Sequence, residues 1–171
     1  MLFVKFYFPV DFSLSPCYVL IMQVKAWPLK SKYRTVKEIK YAVNSFSGDL
    51  YGFPGLMGRG IEEFYDFVKR IPYTKDIKNI EVVSRPKYLL QNFPALDCKK
   101  KSILMGSYMK NKYGPGSYRY VLSSNRPDGQ ICHIFTQVRV EGDNWINADA
   151  TYPQNIFGQK KRVTNFEIVR G

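Results

Sequence analysis

Three residue types that together break amide bonds occur in this chain in the order Cys98, His133, Asp149. A cysteine attacks a carbonyl through its thiolate, not its thiol. It therefore needs a neighbouring base, most often an imidazole, and a third group that orients that imidazole and stabilises its charged form. His133 is the chain's one histidine. Cys98 follows Asp97 and precedes Lys99, Lys100 and Lys101, at the start of a stretch with apolar residues at helical spacing. A helix N-terminus offers partial positive charge and free N–H groups, and three adjacent lysines add to that charge. The position of Cys98 at the head of the helix is thus an activating one.

These residues act only if the elements carrying them meet. The segment 98–114 reads as a helix, with Ile103, Leu104, Ser107, Tyr108 and Asn111 at helical spacing and Gly114–Pro115–Gly116 as its stop. Upstream, 33–46 and 61–71 read as helices, separated by a glycine-rich loop over 47–60. In the second helix Glu62 and Glu63 open and Lys69 and Arg70 close, in accord with the helix dipole. Segment 73–97 reads as mostly loop, with a short extended or helical piece at 86–92. Beyond the helix at 98–114 the composition shifts to β-branched and aromatic residues. Strands are expected at 117–124, 130–142, 144–152 and 162–170, divided by the turn sequences "NRPDG" (125–129) and "EGDN" (141–144). Helices followed by strands make an α+β class with an antiparallel sheet. Two strands joined by a short turn set His133 beside Asp149, and a helix packed on them by its N-terminus delivers Cys98. Side chains alternate along a strand, so Cys132 is expected on the face opposite His133.

The stretch 97–153 resembles the core of the transglutaminase-like superfamily of papain-type cysteine enzymes, especially versions from bacteria and phages. The features are Asp97–Cys98 opening a helix, the break at Gly114–Pro115, the strand "YRYVLSS", "CHIFTQVRV" with its histidine, Trp145, and "DAT" at 149–151. "IPYTKD" and "VVSRPKYLL" extend the likeness upstream, so that it covers about 71–153. The chain departs from the pattern in having Leu96, not glycine, before Asp–Cys, and lysines, not acids, after it. The resemblance implies a papain/transglutaminase-like core with N-terminal helices. It also implies a Cys98–His133–Asp149 triad working through an acyl-enzyme in hydrolysis, transamidation or the reverse, on a protein or peptide substrate and without a cofactor. An oxyanion site would combine the Cys98 N–H with an upstream donor, for which Gln91 and Asn92 are candidates. Trp145 is a candidate wall for the acyl group. Two other readings share the fold or the residue order: a non-catalytic binding or structural protein such as a phage particle component, and an acyl transferase of the arylamine-acetyltransferase kind.

The composition, 45% apolar and 23% charged over 171 residues, is that of one globular domain spanning 1–171. Residues 1–32 are expected to form an extended N-terminal segment. Lys5, Pro9, Asp11 and Pro16 interrupt its apolar run, which argues against a leader peptide. A transmembrane helix is not expected, and a cytoplasmic or virion-associated protein is favoured over a secreted one. With three cysteines, one histidine and no C-x-x-C, neither a disulfide framework nor a four-ligand zinc site is indicated, so no metal is expected. The net charge of +12 is spread over both halves. It favours an anionic polymer, nucleic acid or an acidic protein surface as a partner, with the interleaved aromatic and basic residues at 27–41 as one candidate contact.

Overall fold

The computed structural model describes residues 24–28, 32–77 and 80–171. Most of the expected N-terminal segment, Cys17 included, lies outside them. The described part is α+β. Strand β1 (Val24–Pro28) precedes helix α1 (Lys32–Phe46), a 3-10 turn at Ser47–Gly52, and helices α2 (Pro54–Met57) and α3 (Ile61–Arg70). Strand β2 (Ile80–Ser84), helix α4 (Pro86–Asn92) and helix α5 (Cys98–Tyr113) follow. The chain ends in strands β3 (Tyr118–Ser124), β4 (His133–Val138), β5 (Ile146–Ala148) and β6 (Asn165–Arg170).

Helix α5 is the axis of the molecule. Asp97 caps it, its carboxylate accepting the Lys100 N–H at 3.0 Å. Gly114, at φ 85°, ends it in a backbone conformation that other residues rarely adopt. Lys99 through Met109 are buried without a break. Other elements surround the helix, so no face is left to solvent over those turns. Phe64 of α3 stacks on Tyr108 with ring centroids 4.1 Å apart. On the sheet side Gly106 lies so close to β3 that a Cβ there would meet the Tyr120 hydroxyl at 2.6 Å. Ser102 bonds across to β4, its hydroxyl reaching the Ile134 carbonyl and its own carbonyl accepting from Thr136, each at 3.4 Å.

The sheet runs β5–β4–β3–β6, all antiparallel. Its register pairs Ser123 with His133 and Thr136 with Ala148. Each strand is shorter than the sequence suggested. The β4 ladder ends at Val138, and β5 leaves the sheet after Ala148 because Asp149 turns its backbone into an Asx turn, Oδ1 accepting the Thr151 N–H at 3.1 Å. The expected loops at 47–60 and 73–97 hold more order than expected. The first contains the 3-10 turn and α2, and the second contains β2, which pairs antiparallel with β1. β2 went unseen because it is a five-residue strand whose partner lies more than 50 residues upstream. Among the described residues no helix is long and apolar enough to cross a membrane.

Candidate functional site

Each of the three sequence-predicted residues stands at an element boundary. Cys98 is the first residue of α5, His133 the first of β4, and Asp149 the first after β5. A backbone tie fixes the approach to Cys98: the Leu96 N–H donates to the Pro72 carbonyl at 2.8 Å, and Tyr73 and Leu96 form a parallel bridge. His133 Nε2 and Asp149 Oδ2 are 3.0 Å apart, and Cys98 lines one cavity with the imidazole, close enough to act on its charge. Cys98, His133 and Asp149 therefore meet as a chain of contacts.

The electrostatics of that chain are one-sided. Burial alone would lower the basicity of His133. The hydrogen bond to Asp149, the contact with Cys98 and their charges outweigh it and raise the imidazole to about 10, so the ring is protonated at neutral pH. Burial alone would likewise raise Asp149. The His133 hydrogen bond, with the imidazolium charge, the Thr151 side chain and Lys161, instead holds its carboxyl well below the usual carboxylate range. Asp149 is anchored on every side. Oδ2 also meets Lys161 Nζ at 3.1 Å, and its backbone carbonyl accepts from the Tyr65 hydroxyl at 3.1 Å and the Asn155 amide at 3.0 Å.

The three lysines after Cys98 do not do what their position suggested. They are buried, and each is fully engaged. Lys99 Nζ meets Asp97 at 2.7 Å, Glu81 at 3.0 Å and Asp76 at 3.1 Å. Lys100 bonds Asp76 and meets Asp97 at 3.3 Å. Lys101, 1% exposed, donates to the carbonyls of Lys69 (3.2 Å), Ala150 (3.0 Å) and Thr151 (3.1 Å). Burial brings its ammonium down to about 8 against the pull of Asp149. Carboxylates neutralise the first two lysines, and the third clamps the loop that carries Asp149 to the helix that carries Cys98. In the sequence they look like a charged, solvated run. Only the positions of Asp76, Glu81 and the 149–151 loop reveal them as interior.

The remaining sequence candidates lie elsewhere. Gln91 and Asn92 are exposed at the end of α4, and the Asn92 amide donates to the Tyr88 carbonyl at 3.2 Å, closing its own helix. Trp145 lies beside the Val138 end of β4, about 17 Å of strand from His133. There the guanidiniums of Arg119 and Arg139 cover its ring at 4.2 and 4.9 Å. Cys132 precedes β4 and is exposed, so strand alternation does not apply to it, and it shares cavity walls with His133. The helix α1 carries exposed Tyr33 and Tyr41 from the 27–41 stretch. Lys32 of α1 is paired with Glu167 of β6 at 3.0 Å.

Two residues at the site were missed in the sequence. Tyr73 lies against Cys98: burial first, then the charge of Cys98 and the neighbouring Tyr152, push its phenol upward, so it keeps its proton. Tyr152 packs on Tyr73 at 5.0 Å and stacks along His133 at 6.5 Å. The stretch "IPYTKD" was the one signal that pointed to Tyr73, and nothing in it singled out the tyrosine. Among the described residues no group of three or more His, Cys, Asp or Glu is placed to hold a metal ion. Comparison with protein-family models, with curated proteins and with solved structures gives no match for this chain.

Proposed function

We propose that the chain is a cysteine-dependent amide-bond enzyme with a transglutaminase-like, papain-type core, acting on a protein or peptide through an acyl-enzyme. The observation that carries this reading is the His133 ring, bonded to buried Asp149 at 3.0 Å and sharing a cavity with the Cys98 thiol at a helix N-terminus. Cys98 Sγ attacks the amide carbonyl carbon, and the carbonyl oxygen takes the negative charge. As the C–N bond breaks, the His133 imidazolium gives its proton to the departing amine, leaving a thioester. A water or a second amine then adds to the thioester carbonyl and passes a proton to His133. Cys98 leaves, which completes hydrolysis or transamidation respectively. Asp149 keeps the imidazole oriented and its charge stabilised throughout.

The oxyanion falls to the Cys98 N–H, one of the first N–H groups of α5 and so without an intrahelical partner. The Tyr73 phenol, held protonated beside Cys98, is the second donor in this scheme. It replaces Gln91 and Asn92, which are exposed at the end of α4 and line neither of two cavities that Cys98 lines. The test is limited alkylation with iodoacetamide at neutral pH, followed by peptide mapping. Cys98 should be modified before Cys132 although Cys132 is the more exposed, and Cys98→Ser should abolish amide turnover. Preferential labelling of Cys132, or turnover surviving in Cys98→Ser, removes this function.

A further inference from the structure

Two cavities meet at the His133 imidazole. One, of about 310 Å³, is lined by Cys98, by apolar side chains including Leu122 and Ile134, and by Lys32, Glu81, Lys99 and Arg126, of which the first three are engaged in ion pairs with one another or with neighbouring side chains. The other, of about 480 Å³, lies on the Asp149 side and is lined by Lys75, Arg126, Lys161 and Arg162. These cations come from three separate parts of the chain: the α3–β2 connection, the β3–β4 connection and the β5–β6 connection. With the protonated His133 the second cavity faces five cationic groups.

The single carboxylate in its wall is Asp149, and both His133 and Lys161 already engage its Oδ2. Arg126 pairs with Asp128 at 2.9 Å, but both are half exposed. Such a pair is worth at most about 1 kcal/mol and is easily exchanged for another anion. Lys75 and Arg162 are exposed and make no ion pair among the described residues. A generally basic surface would scatter its cations. Here four converge on one concavity beside the proposed base, and the one acid present is already occupied. A concave wall of one charge also focuses its field into the cavity.

We propose that the substrate carries an anionic group close to its reacting amide and that this cavity seats it, with Arg126 and Arg162 as the principal contacts. This rests on Cys98 being the nucleophile, and it names the chemistry of what Cys98 acts on. Guanidinium groups bind carboxylate and phosphate oxygens in two-pronged fashion, which fixes orientation as well as charge. Lys75 adds charge at the rim. Lys161 bridges the bound anion and Asp149. The cavity next to Cys98, whose Lys99 and Glu81 neutralise each other, takes the remainder of the substrate.

Two reagents that alkylate sulfur by the same displacement of iodide but differ in charge provide the test. Rates of Cys98 modification by iodoacetate and by iodoacetamide are measured on the full chain at neutral pH by peptide mapping, and their ratio is compared with that for free cysteine. The folded chain should favour iodoacetate by roughly tenfold relative to free cysteine. High salt should erase the preference, and Arg126→Gln/Arg162→Gln should return the ratio to the free-cysteine value. A preference that persists in the double variant belongs to the imidazolium alone and overturns the proposal.

If neither reagent modifies Cys98, the nucleophile reading fails while the cavity is still measurable. His133 is the only histidine, so its ring protons in the Cys98→Ser chain report titrations with glutarate and with inorganic phosphate unambiguously. A saturable shift that Arg126→Gln/Arg162→Gln removes supports the site, and the anion that saturates at lower concentration identifies carboxylate or phosphate as its ligand. No saturable shift with either anion overturns it.

Discussion

Two groups of basic residues flank the proposed nucleophile, and they obey different physics. Lys99, Lys100 and Lys101 lie beneath it, contiguous in sequence and buried, with every ammonium matched to carboxylates or carbonyls. Lys75, Arg126, Lys161 and Arg162 lie beyond His133, dispersed in sequence and gathered around an open cavity with one engaged carboxylate. A buried charge must be compensated on the spot or the fold does not form. A charge at the water's edge costs little to leave unmatched and remains available to a ligand. The first group therefore builds the site, and in the second Lys75, Arg126 and Arg162 remain available to a ligand while Lys161 also holds Asp149. The same contrast separates the two carboxylates next to the site. Asp97 is consumed by the helix cap and the lysines, whereas Asp149 directs its Oδ2 at the imidazole.

The largest effect tests the chemical core between the two groups. Asp149→Asn removes the charge that orients His133 while keeping the side chain's shape. Turnover should fall by about 10⁴-fold in line with triads of this kind, with the folded state retained by circular dichroism. Near-normal turnover in that variant would remove Asp149 from the reaction. The buried group comes next. Lys100→Met leaves Asp76 and Asp97 with only Lys99 between them, so unfolding in urea should show a loss of about 3 kcal/mol or more. A loss below 1 kcal/mol would mean that the buried charges are not structural and would dissolve the contrast.

The third effect is a pH dependence. The folded pKa of His133, about 10, lies above its ordinary 6.5. Folding therefore takes up a proton between those values, and stability falls as pH rises through that window. The His133 contribution is complete below 6.5 and lost by about 10, with a slope of at most about 1.4 kcal/mol per pH unit. Lys101 has the opposite sign: its folded value of about 8 lies below 10.5, so its burial penalty is relieved as pH rises from about 8. The net decline should accordingly be steepest below 8, before the Lys101 contribution sets in. Denaturation midpoints compared between the wild-type chain and His133→Gln isolate the His133 contribution, and equal pH slopes in the two would contradict a raised imidazole. The smallest effect belongs to the open group. Lys75→Gln/Arg162→Gln should shift stability by no more than about 0.5 kcal/mol, and a larger loss would place those cations with the buried set.

Local order was legible from residue types because it is set by neighbours a few positions apart. Asp97 caps α5, Gly114 stops it, the acids and bases of α3 sit at its proper ends, and the β-branched and aromatic composition after 117 announces strands. These also gave the α+β order and placed Cys98 at the head of its helix, whereas His133 and Asp149 were expected inside strands and stand at strand ends. Contacts between residues far apart carry no such local mark. "KKK" is the same string whether solvated or buried, and its burial depends on Asp76 and Glu81 arriving from β2 and the loop before it. β2 itself depends on a partner more than 50 residues away. Gln91 and Asn92 were sought near Cys98 because they are close in sequence, yet α4 turns them to solvent, and Tyr73 reaches Cys98 through a bridge to Leu96. The sequence alone determined which residues could react and which elements hold them. Tertiary packing decided which charges are spent in the interior and which remain to meet a ligand, because desolvation and long-range pairing are properties of a position in space.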